Sequence, residues 1–347
     1  VTSGASGLFG VGISGPSLRK IERSIFEHHP PRAVILFRRN IEEERQLVDL
    51  TADLRALPGE PFLCIDQEGG SVDRLRDLVG PFPSFHLAAL AGFARRAGEL
   101  AGEACARFGL DVDLAPVVDR RLPGAGEAVL GDRAVAEDPE AVTSAAREFL
   151  RGLHSRGVGG CLKHFPGLGR AVSDTHKALP ILPSGDGERE KDLAPFRALH
   201  RLACAVMVSH AADADGGLPG TLSHETTTEL LRGEVGFRGA AFTDDLEMGA
   251  LDSFGGIAER SAAASRAGCD LLWVCSRIEE YPECVERVET DVPEGRRRQA
   301  RLRVDRYVQH LADLKRNEVP PSRPLEVLAA HIAALRETIA EETGTAT

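Results

Sequence analysis

Eight short apolar runs recur along the chain, over residues 8–13, 33–37, 62–66, 112–116, 159–164, 205–209, 240–244 and 271–275. Runs of this length that are continuous rather than alternating are what strands buried on both faces require. Between them apolar residues return at helical spacing, as with Leu18, Ile21 and Ile25, or Leu47, Leu50, Leu54 and Leu57. Asn40 is placed to cap the second of these helices. Asp138, followed by Pro139 and Glu140, carries the cap and first-turn proline of another. Strand and helix alternating eight times predict the α/β class and a (β/α)8 barrel.

After about residue 280 the pattern changes. The chain becomes highly charged, with Val304, Val308, Leu311 and Leu314 near helical spacing, a proline-rich break over 320–324 and a last helix over 325–342. The expected organisation is a barrel over 1–287 and a helical extension over 288–347 packed on it. There is no internal repeat and no low-complexity linker.

Composition narrows the picture. A chain of 347 residues, 42% hydrophobic, can bury a large core. The formal net charge of −11 leaves no broad cationic surface to neutralise phosphates, which excludes an electrostatic nucleic-acid binder. Arg296, Arg297 and Arg298 read as a solvated helix face. The 7 cysteines are odd in number and lack C-x-x-C pairing, so they read as buried thiols of a reducing compartment, and a cytoplasmic location is expected. No apolar stretch of about 20 residues and no secretory pattern is visible, so no membrane association is expected.

A barrel builds its site at the C-terminal ends of its strands. Polar residues end four of the runs: Asp66; Lys163 and His164; Ser209 and His210; Thr243 and Asp244. The densest chemistry follows the fifth run. Lys163-His164-Phe165-Pro166-Gly167-Leu168-Gly169 leads to Asp174 and His176, which lie two residues apart. In an extended segment that spacing puts the carboxylate and the imidazole on one side, where the acid can orient the ring and favour its protonated form.

This stretch closely resembles the signature loop K-H-F-P-G-x-G, four residues, D-S/T-H of glycoside hydrolase family three, in its single-domain β-N-acetylhexosaminidase branch. Leu168 stands where the family often has His. The segment Phe242-Thr243-Asp244-Asp245-Leu246-Glu247-Met248 resembles the family's [S/T]-D-x-L-x-M, which implies that Asp244 is the nucleophile; Asp245 is then expected to start the next helix. The resemblance further implies that His176, tuned by Asp174, is the acid/base. Asp66-Gln67-Glu68-Gly69-Gly70-Ser71-Val72-Asp73-Arg74 resembles D-Q-E-G-G-R-V-x-R, making Asp66 and Arg74 sugar-binding residues, with Ser71 in place of an Arg. Arg133, Lys163 and His164 are carried over in the same role. Departures lie at Ala134-Val135-Ala136, where Ser-Phe-Gly is usual, and at Arg120-Arg121, which follow Leu114-Ala115-Pro116-Val117-Val118-Asp119 in place of a small neutral continuation.

The implied activity is retaining exo-β-N-acetylglucosaminidase action on terminal β-linked N-acetylglucosamine, through a covalent glycosyl-enzyme, in bacterial peptidoglycan recycling. The implied partner is a small carbohydrate, with no cofactor and no metal. A phosphorylase or another β-glycosidase of the same family is the close alternative, because a His acid/base leaves no second carboxylate to repel phosphate. A sugar-binding barrel without catalysis is a third reading. A metal-dependent hydrolase using His164, His176, Asp174 and Asp244 as ligands is disfavoured, since the first run has no His-x-His pair and the nearby Lys and Arg would repel a cation.

Overall fold

The computed structural model describes residues 4–123, 130–171, 179–183, 185, 187–213, 216–317 and 319–345. Each of the eight apolar runs contains a strand: β1 (Phe9–Val11), β2 (Ala33–Leu36), β3 (Phe62–Ile65), β4 (Val112–Asp113), β5 in two pieces (Gly159–Gly160 and Leu162–Phe165), β6 (Ala205–Val208), β7 (Ala240–Asp245) and β8 (Leu271–Val274). All pair in parallel with their neighbours in chain order, and β8 returns to β1 with Phe9 opposite Leu272 and Val11 opposite Val274. The first piece of β5 pairs with β4 and the second with β6. The seam between them is held by the bridge of Val117 to Lys163. The ring is therefore a closed (β/α)8 barrel, in which no strand edge is left open.

The helices follow the predicted alternation, with one revision. Asn40 does not cap the helix Glu44–Arg55, whose N-cap is Glu43. It is buried instead, accepting from the Phe37 N–H at 2.8 Å and donating to the Ile13 and Gly15 carbonyls, so it ties the ends of β1 and β2 together. Asp138 does cap Pro139–His154, accepting from the Ala141 N–H at 3.1 Å.

The barrel interior holds Phe62, Cys64, Leu114, Cys161, Met207, Phe242 and Trp273. β1 accommodates the largest of these through Gly10, where any Cβ would overlap the Trp273 ring. The helix Glu294–Arg316 closes the N-terminal mouth. Its Val304, Tyr307 and Leu311 join the interior cluster, with the Tyr307 ring 5.8 Å from that of Phe62 and 5.5 Å from that of Phe242. The Tyr307 hydroxyl donates to the Gly160 carbonyl at 3.2 Å. Arg296 and Arg297 are not a solvated face: Arg296 reaches the wholly buried Asp270 at 2.9 Å, and Arg297 pairs with Glu289. The last helix, Leu325–Thr343, packs through Leu328, Ile332, Leu335 and Ile339 beside the elements that follow β3.

Candidate active site

With the N-terminal mouth plugged, polar side chains at the other ends of the strands surround a cavity of about 250 Å³. That is below the ~300–1,000 Å³ of pockets for drug-sized ligands, and suits a single sugar ring. Asp66, Glu68, Arg74, Arg133, Lys163, His164 and Asp244 line it, with Leu168, Met248 and Trp273 as apolar walls.

The charges are arranged as a ladder. Lys163, at the end of β5, places Nζ 2.7 Å from Asp66 Oδ1 and 2.5 Å from Glu68 Oε1. Arg133 grips Glu68 through Nε at 2.8 Å and Nη2 at 2.9 Å. Burial works against ionisation of all three, yet Arg133 and Lys163 hold Glu68 well below the usual carboxylate range, and Asp66 and Glu68 hold Lys163 above its ordinary value. The cation pair is thus fixed in its charged form under the sugar-sized space. Arg74 stands 3.9 Å from Asp66 and keeps a buried Nε with no hydrogen-bond partner among the described residues.

His164 has its protonation pattern set by its neighbours. Arg133 Nη2 can only donate, and it lies 3.2 Å from Nε2. Nδ1 therefore carries the proton and donates to Asp119 Oδ2 at 2.7 Å. Asp119 is wholly buried and also receives the Leu168 N–H at 2.7 Å, so one carboxylate positions both the ring and the start of the following loop.

Asp244, near the end of β7, accepts the Asp245 N–H at 2.8 Å. Burial would push its carboxyl up, but the His210 and His164 rings, the Asp245 amide and Lys163 favour the ionised form and keep it below the ordinary value. His210 is itself buried, which lowers it. Its Nε2 meets the Asp245 carbonyl at 2.8 Å and must donate there, while Nδ1 lies 2.9 Å from the Thr221 hydroxyl, which also reaches the Val208 and Ser209 carbonyls. Asp245 does not begin a helix. It ends β7, accepts the Glu247 N–H at 3.1 Å and lines the cavity, with burial, Glu247 and Asp244 raising its carboxyl to about 7.

The loop after β3 carries two tight turns. Gly70 has φ +60°, and a Cβ there would run into the Asp132 carboxylate, so only glycine fits. Ser71 then clasps Asp132 through its N–H at 3.0 Å and its hydroxyl at 2.5 Å. Leu168 packs with Leu130, Ala134, Ala171, Leu182 and Ala211, an apolar cluster at the rim. Arg120 is buried on Glu188 and Asp192, at 2.8 and 3.2 Å.

Six of the residues singled out from the sequence, Asp66, Arg74, Arg133, Lys163, His164 and Asp244, converge on this cavity. Asp174 and His176 lie outside the described residues. Glu68 and Asp119 were missed as individual site residues. Both stand inside the quoted motifs, in the segments that follow β3 and β4, where the motif itself was the signal.

The profile of the glycosyl hydrolase family 3 N-terminal domain matches residues 11–314. The chain belongs to glycosyl hydrolase family 3. Among curated members, the beta-hexosaminidase of Stenotrophomonas maltophilia (strain K279a) is 38% identical over 290 residues, covering 80% of this chain and 84% of the relative. The beta-hexosaminidase of Xanthomonas oryzae pv. oryzae (strain MAFF 311018) is 38% identical over 289 residues, covering 79% and 84%. Among solved structures, a family 3 β-N-acetylglucosaminidase from Paenibacillus sp. str. FPU-7 superposes with a TM-score of 0.87 at 29% identity, covering 96% of this chain and 68% of that one. NagZ from Neisseria gonorrhoeae, in complex with N-trifluoroacetyl-D-glucosamine, superposes with a TM-score of 0.77 at 29% identity, covering 95% and 97%. As a family 3 barrel the chain is a glycoside hydrolase. Among the described residues, no helix is long and apolar enough to cross a membrane.

Proposed function

We propose that this family 3 barrel is a retaining exo-β-N-acetylglucosaminidase that releases terminal β-linked N-acetylglucosamine, with Asp244 as nucleophile and His176, supported by Asp174, as acid/base. The observation that carries the reading is an Asp244 carboxyl held in its ionised form at the rim of a one-ring cavity that it shares with a Lys163, Arg133 and Glu68 network. The Asp245 N–H fixes one oxygen of Asp244 and leaves the other for the anomeric carbon. Attack forms the glycosyl ester while His176 protonates the leaving oxygen. His176 then takes a proton from water, which breaks the ester with a second inversion and hence net retention. Asp66 and Arg74 hold sugar hydroxyls, assisted by Lys163, Arg133 and His164, where charge-assisted hydrogen bonds anchor the ring. Fragments of peptidoglycan in a bacterial cytoplasm are the substrates proposed, by analogy with the hexosaminidase relatives. The division into a catalytic barrel over 1–287 and an extension over 288–347 is part of the same proposal, with the extension completing the barrel through Tyr307.

The test is incubation with 4-nitrophenyl N-acetyl-β-D-glucosaminide and the matching β-glucoside, with and without phosphate and chelator, identifying the sugar released. Chelator-insensitive release of free N-acetylglucosamine, with the β-anomer formed first, is the expected result. A sugar phosphate as main product would reassign the protein as a phosphorylase, and turnover of the glucoside alone would reassign the sugar.

A further inference from the structure

A second carboxyl stands beside Asp244. In a regular strand consecutive side chains face opposite ways. The register of β7 on β8 shifts between Phe242 and Asp245, however, and both Asp244 and Asp245 line the sugar-sized cavity. Asp245 is fixed at three points. Its N–H donates to Asp244 Oδ1 at 2.8 Å, its carbonyl accepts from His210 Nε2 at 2.8 Å, and its Oδ1 accepts the Glu247 N–H at 3.1 Å. The glycosidase mechanism gives this side chain no task.

What faces the Asp245 carboxyl is acidic. Asp244 and Glu247 approach it from its own segment and Cys275 from the end of β8, with Asp66 beyond the thiol. The surrounding cations are committed elsewhere. Arg260, on the helix Ile257–Ala267, donates to the Gly255 and Leu246 carbonyls, Arg39 donates to the Ile13 and Cys275 carbonyls, and Lys163 lies on Asp66 and Glu68. The His210 and His164 rings favour ionisation of Asp244. Among the described residues no cation pairs with Asp245. Adjacent carboxyls resist ionising together, so with Asp244 charged the proton stays on Asp245, whose carboxyl rises to about 7.

We infer that Asp245 is a further sugar-binding residue that works as a neutral acid: with Oδ1 taken by the Glu247 N–H, its Oδ2–H donates a hydrogen bond to an oxygen of the sugar in the cavity. The inference rests on the glycosidase reading above, since it presumes a sugar bound against Asp244. A neutral acid supplies a donor there without setting a second negative charge beside the nucleophile. It donates only while it keeps its proton, so sugar and proton must bind together.

The experiment is calorimetric titration of the full chain with N-acetylglucosamine across the pH range, in buffers of different ionisation enthalpy, which counts the protons taken up per sugar bound. For a bond worth about a factor of ten in affinity, about half a proton is taken up near pH 7.5, and Kd rises about tenfold between about pH 6 and pH 9. Asp245→Asn keeps an acceptor for the Glu247 N–H and a donor for the sugar but cannot titrate, so its uptake should vanish and its Kd stay level. Glu247→Gln removes a like charge, so the pH at which affinity falls should move down. A purely structural Asp245 would change stability or overall affinity without changing the proton count. Sugar bound by the wild type with no uptake, or uptake unchanged in Asp245→Asn, would overturn the inference while the glycosidase reading stands. Should Asp245→Asn not fold, the wild-type uptake and the displacement in Glu247→Gln decide, and the absence of either overturns it. Glucose takes the place of N-acetylglucosamine if turnover reassigns the sugar. Neither turnover nor binding of either sugar sinks the glycosidase reading, and the inference falls with it.

Discussion

Nδ1 of His164 lies 2.7 Å from Oδ2 of Asp119, and the same carboxylate receives the Leu168 N–H at 2.7 Å through its other oxygen. Replacing Asp119 by Asn leaves one acceptor oxygen where there were two, so whichever way the amide lies its NH2 faces either the His164 ring N–H or the Leu168 N–H. The expected outcome is a KM for 4-nitrophenyl N-acetyl-β-D-glucosaminide raised by tenfold or more, corresponding to a loss of about 1.5–3 kcal/mol of charged hydrogen bonding. Steady-state kinetics against temperature-matched wild type checks it, and Asp119→Glu should recover less than half of the lost affinity because its longer arm displaces the ring.

Asp244→Ala should lower kcat on the same substrate by at least about 10⁴-fold, with the fold retained by circular dichroism, since in the proposed mechanism this carboxylate forms the covalent bond itself. His176→Ala should differ in kind. Its loss should be small with a 4-nitrophenolate leaving group and grow steadily as the leaving group becomes more basic, because only a poor leaving group needs the proton. An equal loss across leaving groups would remove His176 from the acid role.

The Asp113 carboxyl, wholly buried in β4, is pushed up by that burial to about 8, against the pull of the Gln67 N–H and Lys163, and its Oδ2 has no partner among the described residues. The unfolded chain releases this proton near pH 4 and the folded one near pH 8, so between those values the folded state binds more protons. Stability conferred by Asp113 is therefore present at low pH and lost as pH rises from 4 to 8, with a slope of up to about 1.4 kcal/mol per pH unit. Asp113→Asn keeps the shape and removes the titration. Denaturant unfolding should show a variant that gains on wild type as pH rises, by about 1–2 kcal/mol or more at pH 8.

Tyr307→Ala should destabilise the protein by about 3–5 kcal/mol, the range for removing a large aromatic from a core, since the ring fills the barrel mouth against Phe62 and Phe242. Truncation after residue 293 should yield insoluble protein, because it uncovers the apolar barrel interior. A soluble, active 1–293 fragment would mean that the extension is dispensable.

The barrel was legible because each of its strands is buried on both faces, so burial writes itself as a continuous apolar run, and the polar residue that ends a run marks the catalytic face. Asp66, Lys163, His164 and Asp244 were found that way, and Asp138 was found as a cap because capping is decided by neighbours in the chain. What the sequence could not determine depends on residues brought together from afar. Asn40 carries the composition of a helix cap, yet its amide is drawn to the Ile13 and Gly15 carbonyls that only the pairing of β1 with β2 brings near. Asp245 reads as a helix start until β7 carries it into the cavity. Arg296 looks solvated until the last strand brings Asp270 beneath it. Glu68 becomes the hub of two cations, and Asp119 the orienter of His164, only across gaps of 95 and 45 residues to their partners Lys163 and His164. Periodicity and local hydrogen bonding are properties of the chain, whereas the charge state of a buried group is set by whatever the fold places against it.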